Sequence, residues 1–210
     1  MIPINILSKL GIYEVEFEGC KFKVSVIDNA ALINRNIAEL RSLLRKPVVG
    51  FDVKFGTDQH DQNNAEIAKL LILCVTTRCL IIQLNNKVSA PKGLKDFLSD
   101  ESICFVGKGV GNKVTSIHRS HGLSCVTGVE VSDFVARVLK KPNLIGSCNL
   151  TDLATEVGLV TMKETCCERS CQRKPDWSGR IFTDDEIKSA IPEAILCYCI
   201  GLKLLEKFNL

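Results

Sequence analysis

VVGFDVKFG, residues 48–56, decides how the rest of the chain is read. From Val48 to Val53 it is a near-continuous apolar run of strand length interrupted by one carboxylate, Asp52. That is the pattern of a strand covered on both faces. Three more such runs follow: LLILCV (70–75), CLIIQL (79–84) and ICFVG (103–107). The first of the four is expected to be central. Only Thr76, Thr77 and Arg78 separate the second run from the third, which is short enough for a hairpin. Later segments interpose amphipathic helices: one carrying Leu94, Phe97 and Leu98, one from Val131 to Leu139, one from Leu150 to Val157. Upstream, YEVEFEGCKFKVSVI (13–27) alternates polar and apolar on both sides of Glu18-Gly19, a second hairpin. Apolar residues then recur at helical spacing from Ala30 to Leu44 and stop before Pro47. The class is therefore α/β, a mixed sheet with helices packed on it.

Near the end of the chain Thr183-Asp184-Asp185-Glu186 has the form of a capping box. It opens a helix whose apolar face runs through Ile187, Ile191, Ala194, Ile195, Tyr198, Leu202 and Leu205. Pro192 lies inside that stretch, where it removes an amide donor and crowds the carbonyl of Lys188, so the helix kinks there or restarts with Pro192 in its first turn.

At 210 residues, 46% of them hydrophobic, the chain can bury one core, and no repeat, linker or low-complexity tract divides it. It is read as one domain, 1–210, with a hairpin and helix at 1–46 and the core at 47–210. A net charge of +3 neither demands nor excludes a nucleic-acid partner. No signal sequence or membrane span is expected, because the longest apolar region, LLILCVTTRCLIIQL, is broken by Thr76, Thr77 and Arg78. Eleven cysteines, an odd number with several inside apolar runs, read as reduced thiols and point to the nucleus or cytoplasm.

Taken in order, VVGFDVKF, LLILCVTTRCLIIQL, LKDFLSDESICFVGKGVGNKVTSI, LKKPNLIGSCNLTDLATEVGL and DWSGRIFTDDEIKSAIPEA resemble the Werner-like 3′-5′ exonucleases of plants, in the DEDDy branch of the DEDD superfamily. The resemblance covers nearly the whole chain. It implies a ribonuclease H-like, five-stranded mixed sheet flanked by helices, with the N-terminal hairpin as an extension. It also implies two-metal hydrolysis with Mg²⁺ or Mn²⁺ at single-stranded or recessed 3′ ends of DNA or RNA. The family pattern places Asp-x-Glu at the end of the first strand, Asp at the start of the helix after Phe105-Val106-Gly107, and Tyr-x-x-x-Asp on the last helix. Here only Asp52 is unchanged; Lys54 stands at the Glu, Lys113 at the second Asp, Ser189 at the Tyr and Glu193 at the final Asp.

Lysine ammoniums have no lone pair for a cation, so Asp52 and Glu193 are the only residual metal ligands, should any metal bind. The expectation is an impaired nuclease that binds no metal and works as a nucleic-acid-binding or protein-interaction module; the alternative is an active metal-dependent 3′-5′ exonuclease. Two arrangements of the altered site are open. In one, Lys54 and Lys113 hold the phosphate of a single-stranded 3′ end while Phe55 stacks on a base. In the other, the lysines pair with Asp52 and Glu193 in a closed salt-bridge cluster.

Other signals are weaker. Gly107 to Lys113 lacks the spacing of a phosphate-binding loop and reads as turn glycines. Cys166, Cys167 and Cys171, with Cys197 and Cys199, lack two paired zinc-ligand spacings. His118 and His121 read as helix surface, and Asp58, His60 and Asp61 are poor replacements for lost ligands.

Overall fold

The structure, a computed structural model, describes residue 6 and residues 10–57, 66–84, 90–147, 149–159, 177–179 and 181–207. The strands are β1 (Ile12–Phe17), β2 (Cys20–Ile27), β3 (Val48–Thr57), β4 (Glu66–Val75), β5 (Arg78–Gln83), β6 (Cys104–Gly107) and β7 (Gly128–Glu130). The helices are α1 (Ala30–Leu43), α2 (Lys92–Leu98), α3 (Val110–His121), α4 (Val131–Leu139), α5 (Leu150–Glu156), α6 (Asp184–Ala190) and α7 (Pro192–Glu206).

All seven strands form one mixed sheet in the order β1-β2-β5-β4-β3-β6-β7. Its five-stranded part, β5-β4-β3-β6-β7, has β3 in the middle, antiparallel to β4 and parallel to β6. The β1-β2 hairpin extends the sheet by pairing β2 parallel to β5. Its two-residue turn has Glu18 at φ 50° and Gly19 at φ 74°, the left-handed pair that a tight hairpin with right-handed strand twist requires. The β4-β5 turn is one residue shorter than the sequence implied: Arg78 already pairs with Val75, leaving Thr76 and Thr77 as the connection.

Side-chain alternation along β3 sorts the two faces. Val48, Gly50 and Asp52 face α7, where a Cβ on Gly201 would stand 2.8 Å from Val48 Cγ2. Phe51 faces the other layer, with Phe51, Phe105 and Phe97 in a chain of edge-to-face contacts at centroid distances of 6.4 and 5.6 Å. Phe97 belongs to α2, and Arg41 of α1 lies 5.3 Å over its ring. The core runs through both layers, and β4 is fully buried from Leu70 to Val75, as its unbroken apolar run requires.

The C-terminal helix restarts. Thr183 and Glu186 form the capping box at the head of α6, Ile191 ends it, and Pro192 takes the first position of α7, where its missing N–H costs nothing. The apolar face is therefore divided between two helices. Among the described residues no helix is long and apolar enough to cross a membrane.

Candidate functional site

Four charged side chains meet midway along β3. Asp52 is wholly buried, and its Oδ1 accepts a 2.7 Å hydrogen bond from Val53 N. Lys113 comes from the first turns of α3, which starts at Gly109 in the left-handed conformation (φ 63°) and is fixed by Glu130, whose Oε2 accepts from Val110 N at 3.0 Å. The Lys113 ammonium stands 2.5 Å from Asp52 Oδ1 and 2.5 Å from Glu193 Oε1 in the first turn of α7. Lys54, two residues after Asp52 on the same face, brings its ammonium to 2.7 Å from Asp52 Oδ2. That contact is an ion pair by distance only, since Oδ2 has no aligned hydrogen bond.

Two carboxylates thus meet two ammoniums in a closed cluster spanning β3, α3 and α7. Burial pushes the Lys113 pKa down, but the charges and hydrogen bonds of Asp52 and Glu193 outweigh it and raise the ammonium above its ordinary value. Lys113 stays charged across the neutral range. Of the two arrangements expected from sequence, the closed one is found: the lysines are turned onto the carboxylates.

A pair of divalent cations does not fit this donor set. Hard cations need several oxygen ligands, whereas one ammonium already occupies Asp52 Oδ1 and Glu193 Oε1 together. Among the described residues no three His, Cys, Asp or Glu side chains are grouped to hold a metal ion.

Two sequence expectations are corrected. Ser189 and Glu193 do not share a helix face, because the break at Ile191-Pro192 puts Ser189 on α6; it is exposed and its hydroxyl donates to Glu186 O at 2.8 Å. Phe55 is not beside Lys54. The register shift between Lys54 and Phe55 adds its extra residue, Lys69, to β4, so β3 keeps its alternation and Phe55 packs half-buried on the opposite face.

Of the glycines read as turn residues only Gly109 is one, at φ 63°; Gly107 ends β6, where a Cβ would stand 2.6 Å from Phe51 O, and Gly111 lies in the first turn of α3. His121 Nε2 lies 2.9 Å from Ala68 O, and burial pulls its pKa below the ordinary histidine value. His118 Nδ1 lies 3.3 Å from Ser124 Oγ. Cys197 is buried in α7 and its thiol is pushed up, chiefly by desolvation. Asp58, His60, Asp61, Cys166, Cys167 and Cys171 lie outside the described residues. Sequence reading missed the role of Glu130; an acidic residue one position before an apolar helical run was the available signal.

The chain matches no protein-family model and no curated protein. Solved structures do match it. The catalytic core of RRP6 from Trypanosoma brucei, mutant C496S, gives a TM-score of 0.61 at 18% identity over 89% of this chain and 48% of that one. The EXD2 exonuclease domain gives 0.51 at 21% identity over 89% of this chain and 94% of that one. The same domain soaked in Mg and GMP gives 0.50 at 22% identity over 87% and 89%. This is the ribonuclease H-like exonuclease fold. The chain spans about half of the RRP6 core and nearly all of the EXD2 domain.

Proposed function

We propose that this chain is an exonuclease-fold interaction module, of the plant Werner-like type, that engages nucleic acid or a protein partner without hydrolysing phosphodiesters. One observation carries the reading: the Lys113 ammonium sits 2.5 Å from both Asp52 Oδ1 and Glu193 Oε1, where a catalytic cation would need those oxygens. Moving a divalent cation in means displacing a largely buried, hydrogen-bonded positive charge, 12% exposed, and overcoming repulsion from Lys54, several kcal/mol at about 4 to 6 Å even with moderate screening. A nuclear or cytoplasmic setting accords with the seven described cysteines, all free thiols.

The second reading, an active metal-dependent 3′-5′ exonuclease, draws on Lys54. Its side chain is 19% exposed and its contact with Asp52 lacks hydrogen-bond alignment, so it is the lysine able to swing out. Lys113 must move as well.

End-labelled single-stranded and recessed DNA and RNA, incubated with Mg²⁺ or Mn²⁺, separate the two. No shortening is expected from the native chain, with salt-sensitive binding of the oligonucleotide in EDTA or recovery of a protein partner. Metal-dependent shortening that vanishes in Asp52→Ala overturns the proposal.

A further inference from the structure

We propose that the sheet face opposite Asp52 carries a second site, for a phosphate monoester, between β2, β5 and α1. A cavity of about 150 Å³ lies there, lined among the described residues by Lys23, Ser25, Arg35, Asn36, Glu39 and Arg78 together with apolar neighbours. The strand registers fix which face it opens on. Ser25 is level with Leu80, Leu80 with Leu73, and Leu73 with Phe51, so Ser25 lies on the Phe51 face beneath α1. Asp52 points the other way, three strands along, about 14 Å at the usual strand spacing.

The charges at this cavity are unbalanced. Lys23 and Arg78 are direct partners in the parallel β2-β5 register, and like charges placed opposite each other repel. Arg35 joins them from α1. Two carboxylates answer these three cations: Glu14, the partner of Lys23 in the antiparallel β1-β2 register, and Glu39, whose two oxygens are committed to one cation, Arg78 Nε and Nη2 donating to Glu39 Oε1 and Oε2 at 2.9 and 2.8 Å. That bidentate pair locks the guanidinium plane, leaving Nη1 3.5 Å from Ser25 Oγ. Ser25 is a buried polar residue, 5% exposed. Neither Lys23 nor Arg35 forms a salt bridge among the described residues. Glu39 is held below its usual pKa by its Arg78 hydrogen bonds, with Lys23 and Arg35 adding to the effect, so it stays ionised at neutral pH.

An excess of positive charge, three cations against Glu14 and Glu39, with a fixed guanidinium edge and a buried hydroxyl matches a tetrahedral dianion. A phosphate monoester carries close to two negative charges at neutral pH and several acceptor oxygens for such donors. The chemistry is shared by a free phosphate monoester and by the terminal phosphate of a nucleic acid. The site uses no residue of the Asp52 cluster, so its failure leaves the reading of that cluster untouched, and the reverse also holds.

The test is an amide chemical-shift titration of the ¹⁵N-labelled full chain with inorganic phosphate, phenyl phosphate, and a single-stranded oligonucleotide with either a 5′-phosphate or a 5′-hydroxyl. Saturable shifts at residues 23–25 and 35–39 with a Kd of about 1 mM or tighter are expected. Lys23→Gln with Arg35→Gln, both exposed positions, should weaken binding about tenfold or more, the loss expected from about 1.4 kcal/mol. Lys203→Gln, on α7, should change nothing. Saturation by the small phosphates assigns a free monoester, and a preference for the 5′-phosphorylated oligonucleotide assigns a nucleic-acid end. No saturable shift with any probe, or equal affinity in the double variant, overturns the site.

Discussion

Gly50 lies so close to Ala194 that a Cβ added at position 50 would stand 2.0 Å from Ala194 O. This approach seats α7 on β3 and so sets Glu193, the preceding residue, near Asp52 in the middle of the same strand. Gly50→Ala must push backbone from backbone and is expected to cost about 3 kcal/mol, the upper end for overpacking. Gly201→Ala meets only side chains, Val48 Cγ2 at 2.8 Å and Val106 Cγ2 at 3.0 Å, and should cost less. Urea denaturation of the two variants checks the order.

Removing Lys113 should destabilise more than removing Lys54. Lys113→Met takes away the ammonium 2.5 Å from buried Asp52 and strands part of its charge, a loss expected to stay below the roughly 3–5 kcal/mol of a fully buried pair because Lys54 remains beside Asp52. Asp52→Asn added to Lys113→Met should recover much of that loss, because the buried charge goes with its partner. Equilibrium unfolding of the two single variants and the double measures the coupling; additive losses would show that Asp52 and Lys113 do not interact.

Lys54→Glu combined with Lys113→Asp gathers acidic side chains at 52, 54, 113 and 193. Such a protein should melt low in EDTA and gain stability with Mn²⁺, about 2.7 kcal/mol at a concentration a hundred times its Kd. The native chain should show no such gain. Calorimetry with and without Mn²⁺ decides it, and equal stabilisation of both proteins would refute the closed-cluster reading. Adding Ser189→Tyr and Glu193→Asp is expected to bring metal-dependent nuclease activity.

Acidification should weaken the fold through His121. Burial holds its folded-state pKa below the ordinary value, so the unfolded chain takes up the proton first. Stability is therefore full above about pH 6.5 and declines as pH falls from there toward the lower folded-state pKa. His121→Gln should flatten the loss in unfolding experiments between neutral and mildly acid pH. Lys113 titrates the opposite way: its raised pKa means that its contribution is complete below the ordinary lysine value and is lost only as pH rises through the folded-state value.

Much of this architecture is legible in the sequence because burial writes a period into it. The 13–27 alternation gives the β1-β2 hairpin, and unbroken apolar runs give β3, β4 and β5, whose faces are both covered. The cluster was legible as two lysines replacing two carboxylates, though sequence left both a clamp and a closed cluster open. Geometry decides: only the structure shows Lys113 reaching two carboxylates at once. Ser189 was misplaced because Pro192 permits either a kink or a restart, and the choice depends on how α7 packs on Gly50. Phe55 lies on the face opposite Lys54 because β3 continues as a strand to Thr57 and keeps its side-chain alternation there. The cavity at Arg78 was invisible because Lys23, Arg35 and Arg78 meet only through the parallel β2-β5 pairing.

The ammonium of Lys113 is tethered to the polypeptide. It cannot be chelated, diluted or exchanged for another ion, so the joint between β3, α3 and α7 does not depend on the divalent ions that the surrounding solution supplies. A metal-loaded site of this architecture would loosen when starved of its ions; here the same three elements are held by ion pairs whose cations belong to the chain itself, and the scaffold can serve as a rigid body without depending on mineral supply.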